Sequence, residues 1–94
     1  MKIVNSPLYT EQLKLILLND FQGDIKAAKS FKLYLDTIIL NMPTKVKKYK
    51  KSLYFNDENI KDIEHQGFTI PFYYDLINDT YVVLGIISNT NYNL

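Results

Sequence analysis

The chain has 94 residues, 47% of them hydrophobic, with three glycines, three prolines and a formal net charge of +1. That composition fits one folded domain, too apolar for disorder and too short for a second core. It contains no cysteine, which excludes a disulfide framework and a thiolate metal site, and it has no apolar run near the roughly 18 residues of a membrane span.

Lys2, Ile3, Val4 and Asn5 read as a short first strand, stopped by Ser6-Pro7. Ser6 suits a helix N-cap and Pro7 the first helical turn, so a helix is expected directly afterwards. Leu13, Ile16, Leu17 and Phe21 share one face of it, while Leu15 and Leu18 widen the apolar arc enough to reach a second neighbour. Gly23 and Asp24 interrupt this helix, and Asp24 is placed to cap the next. Ala28, Phe31, Leu35, Ile38 and Met42 then recur at helical spacing as a buried seam, until Pro43 ends the run. Two helices joined so tightly imply a hairpin.

Residues 52–58 read as loop, although Leu53, Tyr54 and Phe55 could pair, and residues 59–65 read as a strand around Ile60 and Ile63. From Phe68 the period becomes two: Phe68, Ile70, Phe72, Tyr74 and Leu76 alternate with Thr69, Pro71, Tyr73 and Asp75. Asn78 and Asp79 offer turn chemistry, and residues 81–87 form a nearly continuous apolar strand expected at the sheet centre. Pro71 lacks a ladder donor, so a bulge, a bend or an unpaired position is expected there. The predicted order is β-α-α-β-β-β, an α+β fold with a helical hairpin on a small antiparallel sheet.

Charge is polarised along this order. Residues 1–51 carry ten lysines against four carboxylates, whereas residues 52–94 carry one lysine against six. Lys45, Lys47, Lys48, Lys50 and Lys51 form the densest cluster, and the chain has no arginine. Such a stripe can attract a polyanion or an acidic protein, and it can equally be a solvated connection. Tyrosines such as Tyr49, Tyr54, Tyr73, Tyr81 and Tyr92 are compatible with stacking on unpaired bases and equally with packing. Without arginine, bidentate phosphate recognition is not available.

Other chemistries are poorly supplied. His65 is the single histidine, which excludes a histidine relay, and Gly23, Gly67 and Gly85 are too scattered for a phosphate loop. Asp57, Glu58, Asp62 and Glu64 flank a turn and are expected to solvate it, so neither a metal nor a cofactor is predicted. The opening Met1-Lys2-Ile3-Val4-Asn5-Ser6 has no signal-peptide core, which makes a cytoplasmic location the expectation.

Several segments in order resemble the RelE/ParE superfamily of toxins from bacterial type II toxin-antitoxin systems. They are the opening six residues, Ala27-Ala28-Lys29-Ser30-Phe31, Ile38-Ile39-Leu40-Asn41-Met42-Pro43, Asn59-Ile60-Lys61-Asp62-Ile63, Phe68-Thr69-Ile70-Pro71-Phe72-Tyr73 and Val82-Val83-Leu84-Gly85-Ile86-Ile87. The resemblance spans nearly the whole chain as a single domain. It implies a growth-inhibiting toxin neutralised by a cognate antitoxin, in a hetero-oligomer or as a homodimer when alone. Its target would be DNA gyrase, or the ribosome and its message; the alternative is a non-toxic, degenerate member of the family kept as a binding module for an acidic partner.

For message cleavage the family uses basic residues on the phosphate and a proton-transfer residue near the C-terminal end. On that pattern Lys61 would serve the phosphate together with the Lys45 to Lys51 cluster, and Tyr92 is left as the acid or base. A tyrosine with a reference pKa of about 10 is a poor base at neutral pH, which tilts the expectation slightly towards a ParE-like mode. The broad face of the first helix, Leu13, Leu15, Leu18 and Phe21, is the expected antitoxin contact.

Overall fold

A computed structural model describes residues 1–89. Strand β1 (Lys2–Asn5) leads into helix α1 (Pro7–Asn19), which Ser6 caps by accepting the Tyr9 N–H at 3.0 Å. Gln22 and Gly23, both at positive φ, turn the chain, and Asp24 caps α2 (Ile25–Asn41) by accepting the Ala27 N–H. The α-helix ends before Pro43, as expected. The chain does not then open into a loop: Met42–Lys48 tightens into a 3₁₀ segment kinked at Lys45, because Met42, Val46 and Tyr49 recur at three to four residues and pack inward.

The sheet order is β1-β5-β4-β3-β2, with β2 (Lys50–Lys51), β3 (Ile60–His65), β4 (Phe68–Asp75), β5 (Thr80–Val83) and a further β6 (Ile87–Ser88) pairing β4. All pairings are antiparallel except that of β1 with β5, which is parallel. Thus the β-α-α-β order holds, while the edge strand makes the sheet mixed. The α1–α2 unit between β1 and the sheet provides the long connection such a parallel pairing requires.

Gln66 and Gly67, at φ 48° and 84°, form the two-residue turn between β3 and β4, the geometry favoured by right-handed strand twist. The β4–β5 turn is built on Asp75, whose carboxylate accepts the N–H groups of Ile77 and Asn78 and the Asn78 amide. The possible pairing of Leu53, Tyr54 and Phe55 does not occur. Their ladder is replaced by side-chain acceptors, Asp62 Oδ2 for the Leu53 N–H and Ser52 Oγ for the Tyr54 N–H.

The core lies between the helices and one sheet face. It joins Tyr9, Leu13, Phe31, Leu35, Ile39 and Met42 to Ile63, Ile70, Phe72, Tyr81, Val83 and Ile86. In α2 the fully buried seam runs Phe31, Leu35, Ile39, Met42, with Ile38 and Ala28 half-buried at its margins. Phe31 anchors it, its ring centroid 5.2 Å from Phe21 and 5.3 Å from Phe68.

The expected single strand over residues 81–87 is split. Phe72 faces Val83 but Thr69 faces Ile87, so one extra residue lies on the later strand, a β-bulge around Gly85. Pro71 is the reason. Leu84 donates its N–H to the Pro71 carbonyl at 2.8 Å, but proline has no N–H to return to the Leu84 carbonyl. That carbonyl instead accepts the Ser6 hydroxyl at 2.8 Å. One serine therefore caps a helix and closes a gap in the sheet.

Candidate functional site

Strand register decides which predicted residues can act together. Residues directly opposite across a pair share a face. Lys61 is opposite Phe72 and Ile63 opposite Ile70, which puts Lys61 on the helix-covered face. Its ammonium reaches the 3₁₀ segment and donates to the Val46 carbonyl at 3.0 Å, adding to the 3.3 Å bond that carbonyl accepts from the Tyr49 N–H at that helical end. Lys61 thus has a clear structural task. The second predicted catalytic residue, Tyr92, lies outside the described residues.

Lys45, Lys47 and Lys48 project from the 3₁₀ segment and Lys50 and Lys51 from the edge strand β2; all five are exposed, and none forms an ion pair with the described residues. A groove of about 550 Å³ beside them is lined by Lys48, Tyr49, Lys50, Lys51, Leu53, Asp62 and Glu64. It brings lysines together with two carboxylates, since Lys50 sits opposite Asp62 in the ladder. Asp62 is already used on one oxygen by the Leu53 N–H, and its other oxygen is buried with no partner. The basic cluster is therefore continuous along the surface but neutralised where it meets β3.

Tyr49 is no free stacking platform. Its ring stands edge-on to Phe72 at 5.6 Å, and burial pushes its hydroxyl above the ordinary tyrosine range. Tyr81 is buried and stacks on Tyr74 at 4.4 Å. Tyr9 is almost wholly buried; burial first and the nearby Asp36 charge second push its hydroxyl far up, and that hydroxyl has no partner among the described residues. Tyr54 and Tyr73 remain partly accessible.

The sheet face away from the helices carries Lys50, Asp62, Glu64, Thr69 and Tyr73 by register. Ile87 and Ser88 extend the sheet beside β4 and lead to Asn89. Asn89 donates its N–H to the Gly67 carbonyl at 2.9 Å, and its side-chain oxygen accepts the hydroxyls of Thr69 and Tyr54. His65, the sole imidazole, lies on the opposite side against Phe31 with its Nε2 buried. The described residues of this face therefore offer hydroxyls, an amide, carboxylates and a lysine, but no imidazole. Among them there is also no cluster able to hold a metal ion. Asn89, Thr69 and Tyr54 were not legible as a group, because nothing in the local pattern signals a contact spanning 35 residues.

The helices present a second surface. Of the residues expected there, Leu13 is a core residue only 7% exposed and Phe21 is half-buried, whereas Leu15 and Leu18 are 50% and 66% exposed. Leu8, at 59%, shares the outer stripe of α1 with them at spacings of seven and three. Alongside, an apolar groove of about 260 Å³ runs between the end of α1 and the start of α2, walled by Leu17, Leu18, Phe21, Ile25 and Ala28 and rimmed by Lys29 and by Asp24, whose carboxylate caps α2. Lys32, also at the rim, pairs with Asp36 at 2.7 Å. No helix of the described residues is long and apolar enough to cross a membrane.

No protein-family model matches the chain, and no curated protein matches it by sequence. Solved structures do match its fold. One is a chain of the chromosomal ParDE TA system from P. aeruginosa, with a TM-score of 0.68 at 13% identity, covering 94% of this chain and 95% of that one. Another is the conserved hypothetical protein HP0892 from Helicobacter pylori, with a TM-score of 0.63 at 18% identity and 96% of each chain covered. The architecture is the RelE/ParE fold over essentially the full length.

Proposed function

We propose that this RelE/ParE-fold chain is the toxin component of a type II toxin-antitoxin system, inhibiting growth until a cognate antitoxin covers it. The full-length likeness to a ParDE TA chain carries this reading. The surface supports it: an outer α1 stripe of exposed Leu8, Leu15 and Leu18 stands beside an apolar groove, and clustered exposed apolar side chains mark interaction sites. Lys29 on the groove rim, with Lys26 also on α2, favours an antitoxin segment that is apolar on one side and acidic on its flanks. In this reading the complex is a hetero-oligomer acting in the cytoplasm.

Of the two targets, DNA gyrase fits the site better than ribosome-bound message. The observation is the chemistry of the open sheet face, where carboxylates accompany Lys50, His65 is packed away, and Lys61 is spent on the Val46 carbonyl. The accessible lysines at 45, 47, 48, 50 and 51 then serve target docking. Cleavage would leave Lys61 and Tyr92 as the phosphate and proton-transfer groups, an arrangement with little support from Lys61's placement.

The test is induced expression alone and together with the adjacent small acidic reading frame. Growth arrest relieved by the partner is expected, with DNA cleavage complexes accumulating and bulk message intact. Codon-proximal message cuts, abolished by Lys61→Ala, would move the assignment to ribonuclease. Unimpaired growth with abundant soluble chain would end the toxin reading.

A further inference from the structure

We infer that Gln12 is a positioning residue that locks the Gly85 bulge to helix α1 and thereby sets the register in which Ile87 and Ser88 rejoin β4. Gln12 lies on α1, one turn after the core residue Tyr9 and next to Leu13, and its carboxamide points at the sheet rather than at solvent. Its Oε1 accepts the Ile86 N–H at 2.9 Å, a contact between residues 74 apart in sequence. The same oxygen sits 2.7 Å from where a Cβ on Gly85 would lie, closer than real Cβ atoms approach their neighbours. Gly85 is thus the residue that lets the carboxamide enter, and no larger side chain fits without displacing it.

The lock has a definite reach. The bulge frees the Ile86 N–H from the β4 ladder, and an unpaired N–H at this buried residue would be costly. Gln12 supplies the missing acceptor. Directly beyond it, Ile87 and Ser88 rejoin β4 opposite Thr69 and Phe68, and Asn89 is tied to Gly67 and Thr69. Losing the Gln12 acceptor strands the Ile86 N–H and removes what holds in place the extra residue that Pro71 introduces. A one-residue slip here would turn every following side chain to the opposite face. Ser6 holds the preceding carbonyl, so both contacts come from the N-terminal half of α1 and its cap. Residues 86–89 are therefore registered by α1, the helix whose outer stripe is proposed to meet the partner.

The experiment is residue-resolved amide hydrogen exchange on the full chain and on Gln12→Met, Gln12→Glu and Gly85→Ala. Methionine keeps the length and apolar stem but has no comparable acceptor, while glutamate keeps an acceptor oxygen. The Ile86 amide should exchange roughly tenfold or more faster in Gln12→Met, with the Leu35 and Ile70 amides within about twofold of the parent, and Gln12→Glu should restore most of the protection. Gly85→Ala should give the same local loss, and adding it to Gln12→Met should change Ile86 little further, since both break one contact. Unchanged Ile86 protection in Gln12→Met overturns the inference, and so does a loss spread equally over the core. These readouts do not depend on growth inhibition, so their failure is distinct from failure of the toxin assignment.

Discussion

Ser6→Ala should destabilise the chain about twice as much as Asp24→Ala, although both residues cap a helix. Each accepts a first-turn N–H on one side-chain oxygen, Ser6 from Tyr9 and Asp24 from Ala27, both at 3.0 Å. Loss of an ordinary N-cap costs about 1 kcal/mol. Asp24 does little else, and its cap is exposed. Ser6 also donates its hydroxyl to the Leu84 carbonyl, which Pro71 leaves without a backbone partner in a partly buried position. Stranding that carbonyl adds about 1 kcal/mol or somewhat more. The expected total is about 2 kcal/mol for Ser6→Ala, or roughly 8–16 °C in melting temperature for a domain of this size. Urea unfolding followed by circular dichroism gives both midpoints. Pro71→Ala supplies the absent N–H, so in that background the Ser6→Ala penalty should shrink towards the cap alone. Equal losses for Ser6→Ala and Asp24→Ala, or a penalty unchanged by Pro71→Ala, would refute the linkage between the proline gap and the helix cap.

Phe31→Ala should cost about 3–5 kcal/mol and leave the chain largely unfolded at 37 °C, because its ring joins Phe21, Phe68 and His65 between α2 and the sheet; a cooperative melt close to the parent's contradicts this. Replacing Lys45, Lys47 and Lys48 by glutamine should change stability by less than about 0.5 kcal/mol. Lys61→Met should cost about 1 kcal/mol by removing the charged donor of the two that the Val46 carbonyl accepts, and indistinguishable urea midpoints would reject the separate roles.

Stability should also fall at both pH extremes through the β4–β5 turn. Hydrogen bonds from Asn78 hold Asp75 below its ordinary range, and those from Tyr74 and the N-terminal amine do so for Asp79. Lowered carboxylate pKa values stabilise the fold above the unfolded value near 3.8 and lose that contribution as pH drops through the lower folded values. Tyr74, raised by its bond to Asp79, contributes below pH 10.0 and loses that contribution above it. Asp79→Asn should flatten both limbs in pH-dependent melts, and unaltered limbs would contradict the assignment.

Much of the fold was written in local pattern. Ser6-Pro7 and Asp24 marked both helix starts because caps act within a few residues, and the switch to period two at Phe68 marked the hairpin sheet. The parallel pairing of β1 with β5 was not legible, since partner choice depends on contacts nearly 80 residues apart. Nor could sequence place the bulge: Pro71 signalled a missing donor, but its remedy lies with Ser6 and Gln12 on another element. For the site, the lysine cluster was plain as charge. Register, which cannot be read from one strand, turned Lys61 towards the helices and brought Asp62 and Glu64 beside Lys50. The apolar breadth of α1 was visible in Leu13, Leu15, Leu18 and Phe21, yet packing divides them, taking Leu13 inside and leaving Leu15 and Leu18 to water.

The central claim is that this outward face receives a neutralising partner, and Leu15→Glu with Leu18→Glu, expressed with and without the adjacent acidic reading frame, tests it most directly. Both residues are at least half exposed, so the variant should fold and still arrest growth. Co-expression of the partner should rescue cells making the parent chain and fail to rescue those making the variant. Full rescue of a variant that arrests growth would contradict the account.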